Sequence, residues 1–217
     1  MSNHLNYGQS LITLLILTVV TSGCINETQY AGTPTLIAER ELRPTPASTL
    51  PELIENLSSD EILARVVSAY ALRDYDPDEV AVAVPKLVKN LYYDYTEVQL
   101  SAAFLLGWLG SRARQAVPDL IATMENNENA ADVRYVTASA LGEIGDDSAV
   151  PALAKQLYQD SEFSFHLQIN CANSIAILAN QKFRDAGSTA NHFSDDIPWI
   201  VTDARSWWQQ TGQYQEW

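Results

Sequence analysis

The sequence predicts an all-α protein: an α-solenoid of about four helical hairpins closed by a C-terminal capping helix. A short Ala-Val-Pro phrase recurs at Pro85, Pro118 and Pro151, with a looser first copy, Leu50-Pro51-Glu52-Leu53. The four prolines are separated by 34, 33 and 33 residues. A column of alanines follows the same period inside the apolar stripes, at Ala69, Ala103, Ala138 and Ala172. Periods of this length are typical of stacked supersecondary units that bury a continuous core between neighbours. No stretch of the chain has the pattern of a β-strand.

Residues 1–23 resemble a lipoprotein-type signal peptide. The apolar run 11–20 is shorter than the roughly 20 residues that a spanning helix needs, and small residues follow it before Cys24. The stretch Val20–Cys24 resembles a bacterial lipobox, which implies that Cys24 becomes the diacylated N-terminus and carries palmitate or a similar chain. Thr21 stands where leucine is usual, and residues 1–10 lack Lys and Arg. A misplaced start codon would explain the missing charge. Alternatively, the segment remains on the protein as an uncleaved anchor.

Residues 24–48 are expected to be the lipidated cysteine and a flexible tether. This stretch has no sustained period and contains Thr33-Pro34-Thr35 and Pro44-Thr45-Pro46. The alternative is a partly ordered arm that packs on the first repeat through Leu36-Ile37-Ala38.

Residues 49–180 are expected to form the repeat solenoid. Thr49 can cap the first helix, Pro51 suits its first turn, and Glu52 can complete a capping box. Ser58 and Glu61 form the same pattern before a second helix, so each unit is predicted to be a helical hairpin. In the third unit, residues 133–144 have the i, i+3, i+4, i+7 spacing of one buried helix face.

Residues 181–217 are expected to form a polar loop and then a Trp-rich helix. We expect this helix to cap the exposed end of the stack, because terminal repeats have only one covered side. The alternative is an aromatic binding patch formed by Trp199, Trp207 and Trp208.

The segment Val133-Arg134-Tyr135-Val136-Thr137-Ala138-Ser139-Ala140-Leu141-Gly142-Glu143-Ile144-Gly145, followed by Ala149-Val150-Pro151, resembles the HEAT-like repeats of the bilin lyase group and of many bacterial proteins. The resemblance covers about residues 49–180 and implies the fold strongly. It implies function weakly, because the motif residues maintain packing and turns. The first unit lacks the glycines, at Arg73 and Asp76, and the fourth lacks them at Ala176 and Ala179.

The charge balance argues against nucleic acid as a partner. The chain has 13 Lys and Arg against 27 Asp and Glu, which gives a net charge of -14. A body this acidic repels phosphate backbones unless it has a basic groove, and the sequence contains no basic cluster larger than Arg112 and Arg114.

The sequence offers little chemistry, and we expect neither a metal nor another cofactor. The three histidines are His4, His166 and His192, and there is no His-Glu pair of the kind used by iron-dependent HEAT-type hydroxylases. No serine or cysteine lies in a recognisable nucleophile motif, although a spatial triad stays open. The pairs Asp146-Asp147 and Asp195-Asp196 are expected to be structural, and Cys171 is expected to be a small core residue.

The second helices are expected to carry the binding surface, since they usually line the concave side of a solenoid. Projection of the third unit predicts an acidic groove with aromatic anchors that suits a protein partner, such as a basic or extended peptide. The alternative is that the aromatic side chains pack between units. The residues expected on this surface are Tyr70, Asp74, Glu97, Phe104, Trp108, Asp132 and Glu143.

These observations favour a lipid-anchored, non-catalytic scaffold for protein–protein interaction on the non-cytoplasmic side of the bacterial cell envelope. The alternatives are a bilin lyase-like enzyme or chromophore chaperone, which the repeat type alone favours, and a bare spacer that holds the last helix away from the membrane.

Overall fold

A computed structural model of the chain describes residues 49–159, 164–183 and 199–217. The expected signal peptide, Cys24 and the tether lie outside the described residues, as do His192 and the pair Asp195-Asp196. All described residues belong to one compact unit.

The described part of the chain is helical and contains no β-strand. Short 3₁₀ turns at Ala81–Ala83, Gly110–Ala116 and Asp147–Ala149 lead into three of the proline-containing helices. The α-helices are α1 (Leu50–Asn56), α2 (Ile62–Ala71), α3 (Pro77–Val80), α4 (Val84–Leu91), α5 (Thr96–Trp108), α6 (Val117–Glu125), α7 (Ala131–Ile144), α8 (Val150–Gln156), α9 (Ser164–Leu178) and α10 (Trp199–Gln210).

The hairpins stack in two layers. The second helices α2, α5, α7 and α9 pack side by side, and the first helices α4, α6 and α8 form the other layer. The core lies between the layers and contains the whole alanine column, whose small side chains let neighbouring helices approach closely. The predicted all-α solenoid of about four hairpins is therefore confirmed.

Helix starts follow the sequence signals in part. Glu52 Oε2 accepts a hydrogen bond from the Thr49 amide at 2.8 Å, as a capping box requires. Proline lies in the first turn of α1, α4, α6 and α8, where its missing donor costs nothing. The second expected capping box does not form, because α2 begins one residue after Glu61 and the Glu61 amide donates to Ser59 Oγ instead.

A column of polar side chains that no sequence motif predicts satisfies the ends of the first helices. The carbonyls of a last helical turn have no partner within the helix, and an outside donor must supply one. Arg134 Nε, in α7, donates to the Met124 carbonyl at 2.8 Å. Three residues at the same register act similarly: Arg65 donates to Leu57 at 3.0 Å, Gln99 to Leu91 at 3.2 Å, and Gln168 to Gln159, three residues beyond the end of α8, at 2.7 Å. We call Arg65, Gln99, Arg134 and Gln168 the capping column.

The capping column also joins one unit to the next. Arg65 Nη1 donates to the buried Asn90 amide oxygen at 2.5 Å, and Arg134 Nη2 donates to the buried Gln156 amide oxygen at 3.1 Å. Gln99 Nε2 reaches Asn129 Oδ1 at 3.4 Å. The same residues therefore satisfy helix ends and hold neighbouring units in register.

Helix α10 closes the stack, as predicted for a capping helix. It packs against α8 and α9, and it buries Ile200, Val201 and Ala204. Arg205 Nε donates to the Leu157 carbonyl at 2.7 Å. Helix α10 thus takes the place that the next repeat would have in a longer stack.

Candidate functional site

The second helices bring together a group that spans the first three units. The Tyr70 and Phe104 rings lie 5.8 Å apart, on neighbouring helices. The Arg73 guanidinium lies 4.5 Å from the centre of the Phe104 ring, within the range of a cation–π contact. With Glu143, these residues form what we call the central cluster: Tyr70, Arg73, Phe104 and Glu143.

Glu143 reaches the central cluster because Gly107 has no side chain. A Cβ placed on Gly107 would lie 2.5 Å from Glu143 Oε2 and 3.0 Å from the Ala140 Cα, so the glycine makes room for the carboxyl and for close approach of α7. Part of the Glu143 side chain is exposed, but burial raises the pKa of its carboxyl, and the positive charge of Arg73 opposes that shift. The central cluster therefore contains a partly desolvated carboxylate with a nearby charge partner, which is one mark of a functional site.

Tyr70 has a similar environment. Burial raises the pKa of its hydroxyl, against the effect of the Arg73 charge. Arg73 stands at the register of Gly107 and Gly142, where the first unit departs from the repeat motif. Its Nε is buried and has no hydrogen-bond acceptor among the described residues. The missing glycine is visible in the sequence, but the contact between Arg73 and the Phe104 ring is not.

The other expected groove residues lie apart from the central cluster or at its side. Trp108 is half-buried and packs against the core. Asp74 is exposed in the turn after α2, and Glu97 lies in the first turn of α5. Asp132 lies in the first turn of α7. Burial raises the pKa of the Tyr135 hydroxyl, and the nearby Asp132 carboxylate raises it further. The Tyr135 ring lies 5.8 Å from His166.

The C-terminal tryptophans pack mainly against one another. The ring centres of Trp207 and Trp208 lie 6.3 Å apart. The ring centre of Trp217 lies 5.9 Å from that of Trp207 and 6.5 Å from that of Trp208. Trp217 Nε1 donates to the buried Gly212 carbonyl at 2.9 Å. Trp199 differs, with 59% of its surface exposed. Of the three residues proposed as an aromatic patch, Trp199 is therefore the one that presents most of its ring to solvent.

Asp146 and Cys171, two residues with reactive side chains, both serve the structure. Asp146 precedes the turn before α8 and accepts hydrogen bonds from the Ser148 hydroxyl and amide. These bonds, and more weakly Arg114, lower the pKa of its carboxyl. Cys171 is fully buried, and burial raises the pKa of its thiol. A neutral, inaccessible thiol is a poor nucleophile.

Among the described residues, the donor set does not fit a metal centre of the kind found in iron-dependent HEAT-type hydroxylases. Within the ranges that the structure covers, no three His, Cys, Asp or Glu side chains converge as metal ligands would. His166 lies instead beside the rings of Tyr135 and Phe165. Among these same residues, no helix combines the length and apolarity needed to cross a bilayer.

Comparison with known proteins identifies the repeats. Residues 84–165 match the family model described as HEAT repeats. A curated deoxyhypusine hydroxylase from Chaetomium globosum is 30% identical over 105 residues, which are 46% of this chain and 30% of that protein. The solved structure of human deoxyhypusine hydroxylase aligns with a TM-score of 0.51 and 23% identity, over 64% of this chain and 46% of that one. The fold is therefore a HEAT-like solenoid, and this chain spans under a third of the curated relative.

These similarities overturn two expectations. The prediction of a non-catalytic scaffold is wrong, and so is the prediction that the chain is not an enzyme, because the similar proteins are enzymes. The alternative enzyme hypothesis is closer, although these enzymes are deoxyhypusine hydroxylases and not bilin lyases. A solenoid assembles its sites from residues one repeat or more apart, so a short sequence motif does not reveal them.

Proposed function

We propose that this chain serves the enzymatic modification of a polypeptide, and that its second helices hold the amine-bearing side chain of that substrate. The similarity to two deoxyhypusine hydroxylases supports the enzymatic role. The observation that carries the proposed site is the central cluster, where the Glu143 carboxylate lies over Gly107, on the helix that also carries Phe104, and where Arg73 lies over the Phe104 ring.

The chemistry of the central cluster favours an organic cation. A carboxylate that is partly removed from water binds an ammonium group more strongly than an exposed one does. Aromatic rings add a cation–π attraction of about 0.5–2 kcal/mol. The net charge of the chain, -14, adds a long-range electrostatic attraction for cationic polypeptides.

Arg73 gives the central cluster a resident cation. Its guanidinium already covers Phe104, and its charge already acts on Glu143. An incoming ammonium must therefore compete with Arg73, and removal of the arginine charge is expected to strengthen binding. This expectation separates a cation site from a surface where the aromatic rings serve packing alone.

Binding of a synthetic peptide that carries deoxyhypusine tests the proposal, with the same peptide carrying norleucine as the neutral probe. We expect calorimetry to detect the deoxyhypusine peptide and not the norleucine peptide. Glu143→Gln should weaken binding about 10-fold or more, and Arg73→Met should strengthen it. Glu128→Gln removes an exposed charge elsewhere and should change the affinity less than 2-fold.

Modification is measured in the same samples by the mass of the recovered peptide. A mass change that requires the chain and decreases with Glu143→Gln would support an enzymatic role. Equal affinity for both peptides, or an affinity that Glu143→Gln leaves unchanged, would contradict the assignment of the site.

We further propose that Cys24 is lipidated and anchors the chain on the non-cytoplasmic side of a bacterial envelope membrane. The support is the lipobox-like sequence before Cys24. Metabolic labelling with palmitate is expected to mark the wild type in a bacterial host and not Cys24→Ala. Labelling of both variants, or of neither, would refute lipidation at Cys24.

A further inference from the structure

A cleft of about 350 Å³ lies between the second and third units, and it contains no residue of the central cluster. The end of α4, the loop 92–95 and the start of α5 form one side. The end of α6 and the loop 126–130 form the other side. Its volume is at the lower end of the range of small-molecule sites, roughly 300–1,000 Å³.

The lining of this cleft is polar and mostly neutral. The charged side chains that line it, Asp94 and Glu128, are both exposed, and no Lys, Arg or His contributes to the lining. A phosphate or another strong anion therefore finds no counter-charge there. Hydroxyl and amide groups of Thr96, Gln99, Asn126 and Asn129 form much of the remaining surface, beside the small apolar contributions of Leu91, Ala122 and Ala130.

The amides inside the cleft are held in place before any ligand arrives. Gln99 Nε2 donates to the Leu91 carbonyl at 3.2 Å, and Asn129 Nδ2 donates to the Thr123 carbonyl at 2.9 Å. These bonds orient Gln99 Oε1, which accepts no hydrogen bond from the described residues. A fixed acceptor binds a ligand hydroxyl without a further cost for ordering the side chain.

A tyrosine forms part of the wall. The Tyr92 hydroxyl donates to Asp119 Oδ1 at 2.8 Å, which ties the α4 side of the cleft to α6. Tyr92 remains 58% exposed, so much of its surface is open to a ligand. An aromatic ring offers an apolar surface beside the polar groups of the lining.

We infer that this cleft binds a neutral saccharide of one or two rings. A sugar hydroxyl both donates and accepts, which matches a lining of amides, hydroxyls and carbonyls. The apolar face of a sugar ring can lie on Tyr92, and a neutral ligand does not require the cation that the cleft lacks. This site is independent of the proposed function and of the central cluster.

Titration of the full ¹⁵N-labelled chain with maltose and with N,N′-diacetylchitobiose tests the inference, and putrescine serves as an organic-cation probe. We expect one of the sugars to shift the amide signals of the cleft residues in a saturable way at millimolar concentration. Tyr92→Ala should weaken that binding about 10-fold or more. Tyr214→Ala removes an exposed tyrosine outside the cleft and should leave the affinity within 2-fold.

Thermal melting of both variants shows whether Tyr92→Ala has unfolded the chain. If it has, Tyr92→Phe replaces it, and the shifts must still be confined to the cleft residues. The inference is overturned if neither sugar shifts these signals at 50 mM, if Tyr92→Ala binds like the wild type, or if putrescine alone saturates the cleft.

Discussion

Glu143 shows how one missing side chain changes the chemistry of another residue. Gly107 lets the carboxyl lie against α5, and burial there raises its pKa. A carboxyl whose pKa is higher in the folded state than in the unfolded state binds its proton more tightly when folded. Its contribution to the free energy of unfolding therefore decreases as pH rises from the unfolded pKa, near 4.5, through the folded pKa.

Glu143→Gln removes this titration. We expect the melting temperature of the variant to exceed that of the wild type at pH 7, and the difference to shrink as the pH falls toward 4. Calorimetric melts at pH 4, 5, 6 and 7 measure it. A difference that does not change with pH would show that the carboxyl is not desolvated in the folded state.

Cys171 allows a second test at the scale of one residue. Its thiol is fully buried, and burial raises its pKa. In the folded protein, a disulfide reagent such as Ellman's reagent is expected to react with Cys171 at least 100-fold more slowly than in 6 M guanidinium. The variant Cys24→Ala is used, so that Cys171 is the only cysteine in the chain. Fast reaction under native conditions would show that this part of α9 opens readily.

At the scale of the helix, the capping column stabilises elements that are too short to be stable alone. The first helices have seven to nine residues, and an isolated helix of this length is marginal in water. Arg134→Met would leave the Met124 carbonyl and the buried Gln156 amide without their donor. We expect a loss of about 2–4 kcal/mol in the free energy of unfolding, measured by urea denaturation.

Arg114→Met is the matched control for this prediction. Arg114 is 61% exposed and forms an ion pair with Asp146 at 3.2 Å. Exposed pairs contribute about 0–1 kcal/mol, so the control should lose less than the Arg134 variant. Equal losses would mean that the capping column has no special role.

Gly142 and Gly145 are required for different reasons: Gly142 because a side chain has no space there, and Gly145 because of its backbone conformation. A Cβ on Gly142 would lie 2.6 Å from Ser174 Oγ and 3.0 Å from the Ser174 Cα, whereas one on Gly145 would meet nothing within 4 Å. Gly145 instead has a φ of 78°, in the left-handed region at the end of α7. We expect Gly145→Ala to cost about 1–2 kcal/mol from the backbone alone.

Gly142→Val should cost more than Gly145→Ala and should also weaken the contact between α7 and α9. Hydrogen exchange of the α9 amides checks this, with faster exchange expected in Gly142→Val and not in Gly145→Ala. The reverse pattern would place the constraint in the turn and not between the helices.

At the scale of the whole molecule, the sequence predicted the fold well and the central cluster only in part. The proline period and the alanine column report the packing between units directly, so the solenoid could be derived from them. Tyr70, Phe104 and Glu143 could be placed on one face by register alone. Arg73 could not be placed there by register, because its position is a glycine in two other units and helical projection assigns such positions to the core.

The capping column escaped prediction for a different physical reason. Its partners are backbone carbonyls, which have no signature in the sequence, and its members alternate between arginine and glutamine. A search for a repeated residue type therefore misses it, although the register is constant. What repeats is a hydrogen-bond donor long enough to reach the preceding turn.

Helix α10 is expected to cover the apolar end of the fourth unit, and this can be tested. Ala204 is fully buried in α10, which packs on α8 and α9. Ala204→Asp is expected to detach α10 and to expose the apolar surface of the fourth unit, which increases binding of the dye ANS. Gln209→Asp, on the exposed side of the same helix, should leave dye binding unchanged. Equal dye binding by both variants would mean that α10 does not cover the core.

The hydrogen bonds of the capping column also decide where the solenoid can be cut or lengthened. The Arg65 donor lies in the second helix of one unit, and its Asn90 acceptor lies in the first helix of the next. Arg134 and Gln156 repeat this arrangement across the third and fourth units. Arg65 and Arg134 also donate to the Leu57 and Met124 carbonyls, at the ends of the first helices of their own units. The energetic module thus covers a whole hairpin and the first helix of the next unit, so it is half a unit longer than the repeat seen in the sequence. A grafted repeat should therefore include the first helix that follows it.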